Sequence, residues 1–242
     1  MPARRHRGRA RHRSRGTRRA RESQGEGRAV PTLSDIRISP FGESALLVEL
    51  GDRIDDALAA RARALADAWD EEGHGRAVPA YASVVVRFDP LRLAPADAER
   101  KVAELVKRLG RIEVEGGRLV EIPTLYDGPD LAETAERSKL SVDALIAAHS
   151  GREYRAFFLG FLPGFAYCGV LDPRIIAPRL VRPRERVPAG SVAVADGQTS
   201  VYPFDSPGGW RLIGRTDVRI FDSTREPPVL IHPGARVRFV AR

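Results

Sequence analysis

The chain has 242 residues, enough for one large domain or two small ones, and 43% of them are hydrophobic, which can supply a core. It contains one cysteine, Cys168, so a disulfide framework within the chain is excluded. No run of about 18 apolar residues is present, and no apolar stretch follows the basic N-terminus, so neither a transmembrane helix nor a secretory signal is predicted. We therefore expect a cytoplasmic protein without a membrane partner.

The excess positive charge lies in an N-terminal tail. Residues 1–30 hold 11 arginines and two glutamates, whereas the other 212 residues hold 29 basic and 30 acidic side chains. Such a segment buries too little apolar surface to fold, so residues 1–32 are predicted to be a disordered Arg-rich tail. Three interpretations stay open: a nucleic-acid-binding arm, an extension without a selected role, or a misassigned start codon with Val30 or a neighbour as the true first residue. Nucleic acid is the less favoured of these.

Residues 33–125 alternate short strands with two helices. Two apolar segments flank Pro40, Phe41 and Gly42 and predict a β-hairpin. The Ala-, Leu- and Arg-rich segment after them predicts a helix with Asp52 as its N-cap and Gly73 as its end. The predicted elements are strands at 35–38 and 44–50, a helix at 53–72, a strand at 81–88, a helix at 95–109 and a strand at 119–125. This β-β-α-β-α-β order predicts a small ferredoxin-like α/β sandwich.

The second half of the chain has a different pattern. Residues 131–149 predict two short helices separated near Ser141. Short strands bounded by proline and glycine follow at close spacing, which is typical of a barrel or a sandwich. These strands are predicted at 154–161, 191–195, 200–203, 210–213, 218–221 and 236–240. The domain boundary is placed between residues 90 and 125.

Several catalytic motifs are missing from the sequence. It contains no G-x-x-x-x-G-K-[ST] loop for nucleotide phosphates and no G-x-S-x-G nucleophile elbow. None of the five histidines is spaced from a partner as metal ligands are, so no metal site is predicted. Cys168 lies in an apolar aromatic segment, which favours a buried, inert thiol over a nucleophile.

The first candidate site segment is GFLPGF, residues 160–165. It bends the backbone twice within a few residues and presents Phe161, Phe165 and Tyr167. This pattern suits a rigid apolar wall of a binding site. A tight core corner between two strands explains it equally well.

The second candidate is an extended, proline-stiffened segment that carries Arg179, Arg182, Arg184 and Arg186. Because residues two apart share a face of an extended chain, the last three are expected to project together. Convergent guanidinium groups recognise carboxylates or phosphates through paired hydrogen bonds. The alternative is a solvated charged strand with Glu185 as the local partner.

The third candidate is SPGGW, residues 206–210. Its first four residues predict a turn, and the glycines let a ligand or a second chain approach the backbone closely. Thr199, Tyr202 and Ser206 place hydroxyl groups near this turn. A hairpin turn capped by Trp210 in the core is the structural alternative.

His149 ends the second of the two predicted short helices. The helix dipole favours a cationic side chain there, so capping is the favoured explanation. A general acid or base is the alternative.

These motifs together carry a family resemblance. The runs GFLPGFAYCGVLDP and PRERVPAGSVAVADGQTSVYPFDSPGGWRLIGRT resemble the family of the B subunit of 5-oxoprolinase. Relatives of that family include the sporulation kinase inhibitor KipI and the subunit-1 domain of allophanate hydrolase and urea carboxylase systems. The resemblance extends in order over residues 34–240 and leaves out the Arg-rich tail.

The resemblance implies an α+β fold, with a small ferredoxin-like α/β domain at residues 33–112 and a cyclophilin-like β-barrel domain at residues 113–242. It also implies a chain that acts with the A and C subunits of the same enzyme in opening 5-oxoproline to glutamate at the expense of ATP. A lactam is a poor electrophile, so ATP must first phosphorylate its oxygen, with Mg²⁺ and cationic or backbone donors holding the charge. Because the chain lacks a nucleotide motif, ATP and Mg²⁺ are expected to bind to the assembled complex, and the chain alone is expected to be inactive.

On this basis we assign expected roles to residues of the three segments. One wall of a barrel cleft is expected to consist of Phe161, Pro163, Gly164, Phe165 and Tyr167. Arg179 and Arg184 are expected to hold a carboxylate or phosphate, and Arg184 and His149 are the candidate catalytic residues. The opposite lip, which is also the expected contact with the C subunit, comprises Thr199, Tyr202, Ser206, Gly208, Gly209 and Trp210. All three segments are predicted to share one concavity.

Two alternative functions use the same motifs. A KipI-like chain would be a binding module that inhibits a sensor histidine kinase, and an allophanate hydrolase or urea carboxylase type of subunit 1 would serve a different amide-processing system. Binding of nucleic acid through the tail would show as a salt-sensitive affinity that is lost when residues 1–30 are deleted.

Overall fold

The computed structural model describes residues 36–110, 114 and 116–242. The predicted Arg-rich tail at 1–32 and the predicted boundary between residues 112 and 113 lie outside these residues. The described residues form four α-helices and thirteen β-strands, which confirms the predicted α+β class. None of the helices in the described ranges is long and apolar enough to cross a bilayer.

The first half is a four-stranded antiparallel sheet packed against two helices. Its strands are β1 (Arg37–Pro40), β2 (Ala45–Glu49), β3 (Ala77–Pro79) and β4 (Ser83–Arg87), and its helices are α1 (Asp56–Glu71) and α2 (Pro95–Leu109). The strand order is β1-β2-β4-β3, so β4 lies between β2 and β3. The unit β2-α1-β3 is therefore a split β-α-β unit, the connection that defines the predicted ferredoxin-like arrangement.

Local capping rules set the ends of both helices. The Asp55 carboxylate accepts from the Ala57 and Leu58 N–H groups at 2.9 and 3.1 Å and begins α1. This corrects the predicted cap, which was placed upstream at Asp52. The bounds of α2 are those predicted, with Pro95 in its first turn.

The strand predicted at residues 119–125 belongs to the second sheet. β5 (Leu119–Thr124) pairs in parallel with β13 (Arg236–Ala241), the last strand of the chain. The fourth strand of the first sheet is β3, which the sequence analysis missed. β3 has three residues, and one is Pro79, so no alternation of apolar and polar residues marks it.

The second half contains a seven-stranded sheet that nearly closes, which confirms the predicted barrel. Its other strands are β6 (Glu153–Leu159), β7 (Ala166–Gly169), β9 (Ser191–Ala195), β10 (Gln198–Val201) and β12 (Arg211–Arg215). The order is β12-β9-β10-β7-β6-β13-β5. The two edges meet just beyond β5, where Leu125 N–H donates to Arg215 O at 2.9 Å and Arg215 N–H donates to Leu125 O at 2.8 Å.

Two helices and a separate strand pair complete the second half. α3 (Leu131–Arg137) and α4 (Val142–Ser150) confirm the predicted helices, and Ser141 begins α4 by accepting from Ala144 N–H at 3.1 Å. β8 (Arg184–Val187) and β11 (Ser206–Gly208) form an antiparallel ribbon outside the barrel sheet.

Three strands were missed in this half, and one predicted strand is wrong. β7, β8 and β11 have three or four residues each and lie in segments dense in arginine, proline or glycine, where alternation is not readable. Residues 218–221 are not a strand. Their backbone bonds to the returning arm of their own loop, where Leu230 N–H donates to Ile220 O at 2.8 Å, and they join no barrel strand.

Each half has its own hydrophobic core. The first surrounds Trp69, and the second fills the barrel around Tyr154. A third, smaller cluster lies between the barrel sheet and the ribbon and includes Phe165, Tyr202 and Trp210. This third cluster forms the floor of the site described next.

Candidate functional site

The three segments singled out in the sequence meet at one hollow of about 230 Å³, as predicted. Its lining residues are Phe161, Phe165, Tyr167, Arg179, Pro183, Tyr202, Pro207, Gly208, Gly209 and Trp210. The first three come from the aromatic bend, the next two from the arginine-rich segment, and the last five from the segment around the third motif. The hollow is therefore composite, and no one segment forms it alone.

The aromatic bend is a compact turn that holds its side chains rigidly. Gly160 N–H donates to Phe165 O at 3.1 Å, and Phe165 N–H donates to Leu162 O at 3.0 Å. Phe161, at the tip, has φ +68° and is 59% exposed. A non-glycine residue in the left-handed region is uncommon, and such strain is typical of functional sites.

Edge-to-face packing of aromatic rings fixes the floor of the hollow. The Phe165 ring lies 5.2 Å from Tyr202 and 5.4 Å from Trp210, and Tyr167 lies 5.7 Å from Trp210, all at steep interplanar angles. Such contacts add about 0.5–1.5 kcal/mol each beyond the buried area. The rings therefore present a preformed apolar surface to a ligand.

Gly208 lies against the hydroxyl of Tyr202. A Cβ at position 208 would be 2.4 Å from the Tyr202 oxygen, so only glycine leaves this phenol in place. Residues 206–209 are not the predicted turn. Ser206 to Gly208 are a strand of the ribbon, with Gly208 opposite Arg184 and a register shift between 206 and 208.

Arg179 supplies the charge at the mouth of the hollow. Its guanidinium lies 5.9 Å from the Trp210 ring centre, and its Nε donates to Asp196 at 3.0 Å. The side chain is 58% exposed, so its remaining N–H groups face solvent. Among the ten lining residues Arg179 is the one charged group, which suits a small ring compound that carries an anionic substituent.

The other arginines do not converge as predicted. Arg184 Nη2 donates to buried Asp130 at 2.7 Å, whereas Arg186 Nε donates to Asp205 at 2.8 Å. Arg182 is exposed. Arg184 and Arg186 each point to the carboxylate that pairs with them. The alternation of side chains along a strand does not predict these partners. Arg184 therefore lies behind the lip and does not line the hollow, which corrects its predicted contact with a ligand anion.

Comparison with known proteins places this chain in a family. The family described as carboxyltransferase domain, subdomain C and D, matches residues 36–231. The B subunit of 5-oxoprolinase from Escherichia coli is 40% identical over 205 residues, covering 83% of this chain and 93% of that protein. The Bacillus subtilis protein of the same name is 36% identical over 224 residues, covering 84% and 92%.

The chain belongs to the family of 5-oxoprolinase B subunits. Among solved structures, that of TTHA0988 is 41% identical with a TM-score of 0.73 and matches 82% of this chain but 39% of its own, so this chain spans less than half of that polypeptide. The Kluyveromyces lactis urea carboxylase matches 88% of this chain and 22% of its own with a TM-score of 0.71. At 17% identity, that match shows a shared fold.

In this member of the 5-oxoprolinase family His149 is not a surface residue. It is 0% exposed, with Nδ1 2.7 Å from the Tyr126 hydroxyl and Nε2 2.8 Å from the Thr199 hydroxyl. Burial lowers the pKa of His149 to about 3, so the ring is neutral at pH 7. His149 does not line the hollow, so the structure does not place it where the predicted acid–base role requires it, and its two ring nitrogens bond to the Tyr126 and Thr199 hydroxyls instead.

Four other predicted site residues also lie away from the lining. Thr199 is 0% exposed and bonds to His149. Pro163 and Gly164 belong to the aromatic bend, but Gly164 packs against Phe221 on its far side. The Ser206 hydroxyl is buried and has no hydrogen-bond partner in the described part of the chain. None of these four residues lines the hollow.

Cys168 is buried, as predicted. It is 1% exposed, and burial raises its thiol pKa to about 12. The thiolate is therefore absent at pH 7, and the residue packs in the barrel core.

Asp130 was missed by the sequence analysis. It immediately precedes α3, where an acidic residue is ordinarily an N-cap. Its side chain makes no capping hydrogen bond and turns to Arg184 and Leu212 instead. The sequence signal for Asp130 is the turn Gly128-Pro129-Asp130 before a predicted helix, and this pattern predicts an N-cap instead of a pairing with a distant arginine.

Proposed function

We propose that the chain is the B subunit of a heteromeric 5-oxoprolinase that converts 5-oxo-L-proline, ATP and water to L-glutamate, ADP and phosphate. Three relatives that carry the name of this 5-oxoprolinase component, at 36–40% identity over most of the chain, are the observation that supports this proposal. Their name implies partner chains, and we propose that these are the A and C subunits.

The reaction has two chemical stages. The lactam oxygen attacks the γ-phosphorus of ATP, and ADP leaves, which gives an activated ring carbon. One water adds to that carbon and the ring C–N bond breaks, which frees the amine and leaves an acyl phosphate. A second water then adds to the acyl carbon, and phosphate leaves with the oxygen that it activated, which gives the side-chain carboxylate of glutamate. A protein assists mainly by orienting the reactants and by placing donors where negative charge develops.

The hollow suits the binding part of this task. Its volume of about 230 Å³ fits a small ring better than a nucleotide. Exposed Phe161 and partly exposed Tyr167 can pack against a five-membered ring above the buried floor, and Arg179 can pair with the carboxylate of 5-oxoproline. Exposed Phe161 and the Pro207-Gly208 edge form the lip that we propose contacts the C subunit.

The described residues of this chain do not fit a magnesium site. In the described ranges no group of three or more His, Cys, Asp or Glu side chains could hold a metal ion. We propose that ATP and Mg²⁺ bind to the assembled complex.

Reconstitution tests the proposal. The chain, co-purified with the A and C subunits, should release glutamate from 5-oxoproline in an ATP-dependent reaction, and omission of the chain should abolish release. Arg179→Gln should raise KM for 5-oxoproline about ten-fold, because a hydrogen bond to a charged group is worth about 1.5 kcal/mol. Arg174→Gln is the matched control, since Arg174 pairs with Asp172 and does not line the hollow.

A complete complex that forms but shows no turnover would refute the proposal. The kinase-inhibitor hypothesis would then take precedence, and it predicts inhibition of a sensor histidine kinase by the chain alone.

A further inference from the structure

We propose that Asp130 is a positioning residue for the hollow, because it anchors the chain on both sides of Trp210. The carboxylate is 5% exposed. Its Oδ1 accepts from Arg184 Nη2 at 2.7 Å, and its Oδ2 accepts from Leu212 N–H at 2.7 Å. The Asp130 N–H also donates to Leu212 O at 3.0 Å, so Asp130 engages both backbone groups of Leu212.

These contacts determine where Trp210 stands. Arg184 is opposite Gly208 in the β8–β11 ribbon. Leu212 lies in β12, two residues after Trp210. The ring of Trp210 therefore projects from a short span that is tied to the Asp130 carboxylate directly at Leu212 and, at Gly208, through the paired residue Arg184. Within that span, Gly209 O accepts from Leu180 N–H at 2.7 Å. Because Arg179 precedes Leu180, this hydrogen bond also holds the backbone next to Arg179 against the span.

The position of Arg184 depends on Asp130 in particular. The Nη1 of Arg184 is buried and has no hydrogen-bond partner within the described residues. A hydrogen bond between ionised groups is short and strong, and removal of one member leaves the other buried and unpaired. Loss of the carboxylate should thus make the β8–β11 ribbon more mobile and displace Gly208, which lines one side of the hollow.

Asp130→Asn tests this inference with two measurements. The first is fluorescence in a Trp69→Phe background, where Trp210 is the remaining one of two tryptophans. Emission should shift to longer wavelength, and acrylamide quenching should increase. The second is steady-state kinetics of the reconstituted complex, which rests on the proposed function. KM for 5-oxoproline should rise about ten-fold, with kcat changed less than about two-fold, because a binding surface is displaced.

Asp127→Asn is the matched control. It makes the same acid-to-amide change in the same segment, but Asp127 pairs with exposed Arg215 at 2.8 Å. It should leave Trp210 quenching and KM at wild-type values. Arg184→Gln should reproduce the effects of Asp130→Asn from the ribbon side, and Arg184→Lys, which keeps the cation, should recover part of the loss.

Unchanged quenching and unchanged KM in Asp130→Asn would overturn the inference, as would equal effects in Asp127→Asn. If Asp130→Asn does not fold, Arg184→Gln decides by the same two measurements. If the wild-type complex shows no turnover, the proposed function fails, and Trp210 fluorescence alone decides the role of Asp130.

Discussion

One added methyl group at position 208 should disrupt the lip of the hollow. In Gly208→Ala the new Cβ would lie 2.4 Å from the Tyr202 oxygen and 3.0 Å from two ring carbons of the same phenol. Tyr202 is 1% exposed and packs edge-to-face against Phe165, so movement of the phenol disturbs the packed rings of the floor. Overpacking of this kind costs about 1–3 kcal/mol. The displaced hydroxyl also loses its hydrogen bond with the Trp210 backbone, worth about 1 kcal/mol more. We therefore expect a loss of about 2–4 kcal/mol.

Thermal and urea unfolding of the isolated chain measure this effect. For a chain of this size the loss corresponds to a fall in Tm of roughly 5–15 °C. Gly209→Ala is the neighbouring control. Its Cβ would have Pro183 Cγ as nearest atom at 3.6 Å, an ordinary contact, so its stability should change by less than about 0.5 kcal/mol. Adding Tyr202→Phe to Gly208→Ala removes the shortest contact and should recover part of the loss. Equal stabilities of the two alanine variants would refute the steric argument.

Two predictions concern buried titratable groups. The pKa of His149 falls from 6.5 to about 3 on folding, so the unfolded chain binds a proton that the folded chain does not, and stability that is present above pH 6.5 decreases as the pH falls towards 3. By pH 5 the loss of unfolding free energy from this residue amounts to about 2 kcal/mol. His149→Gln should therefore reduce the difference in unfolding free energy between pH 7.5 and pH 5, measured in urea, by about that amount. An unchanged difference would contradict the assignment. The Cys168 thiol, with its pKa raised to about 12, should remain unreactive to a disulfide reagent in native buffer and react fully in urea, so rapid native labelling would show that it is accessible.

The sequence predicted those structural elements that depend on residues close together in the chain. The β-hairpin at the start, the bounds of α2 and the break before α4 follow from apolar periodicity and capping over a few positions. The bend at residues 160–165 likewise follows from its own glycines and proline. The close spacing of short strands predicted a barrel or a sandwich, and the resemblance favoured the barrel. The expectation that three separated motifs share a concavity is confirmed by the hollow.

Strand pairings and hydrogen bonds between residues far apart in the sequence were decided by the tertiary structure alone. β5 pairs with β13 and not with the first sheet, because the barrel edge offers it an unpaired strand at the far end of the chain. The folded barrel brings Arg184 to Asp130 and places His149 between Tyr126 and Thr199. Strand alternation places side chains on a face, whereas the final partner of a charged or polar group is set by which carboxylate or hydroxyl the folded chain buries beside it.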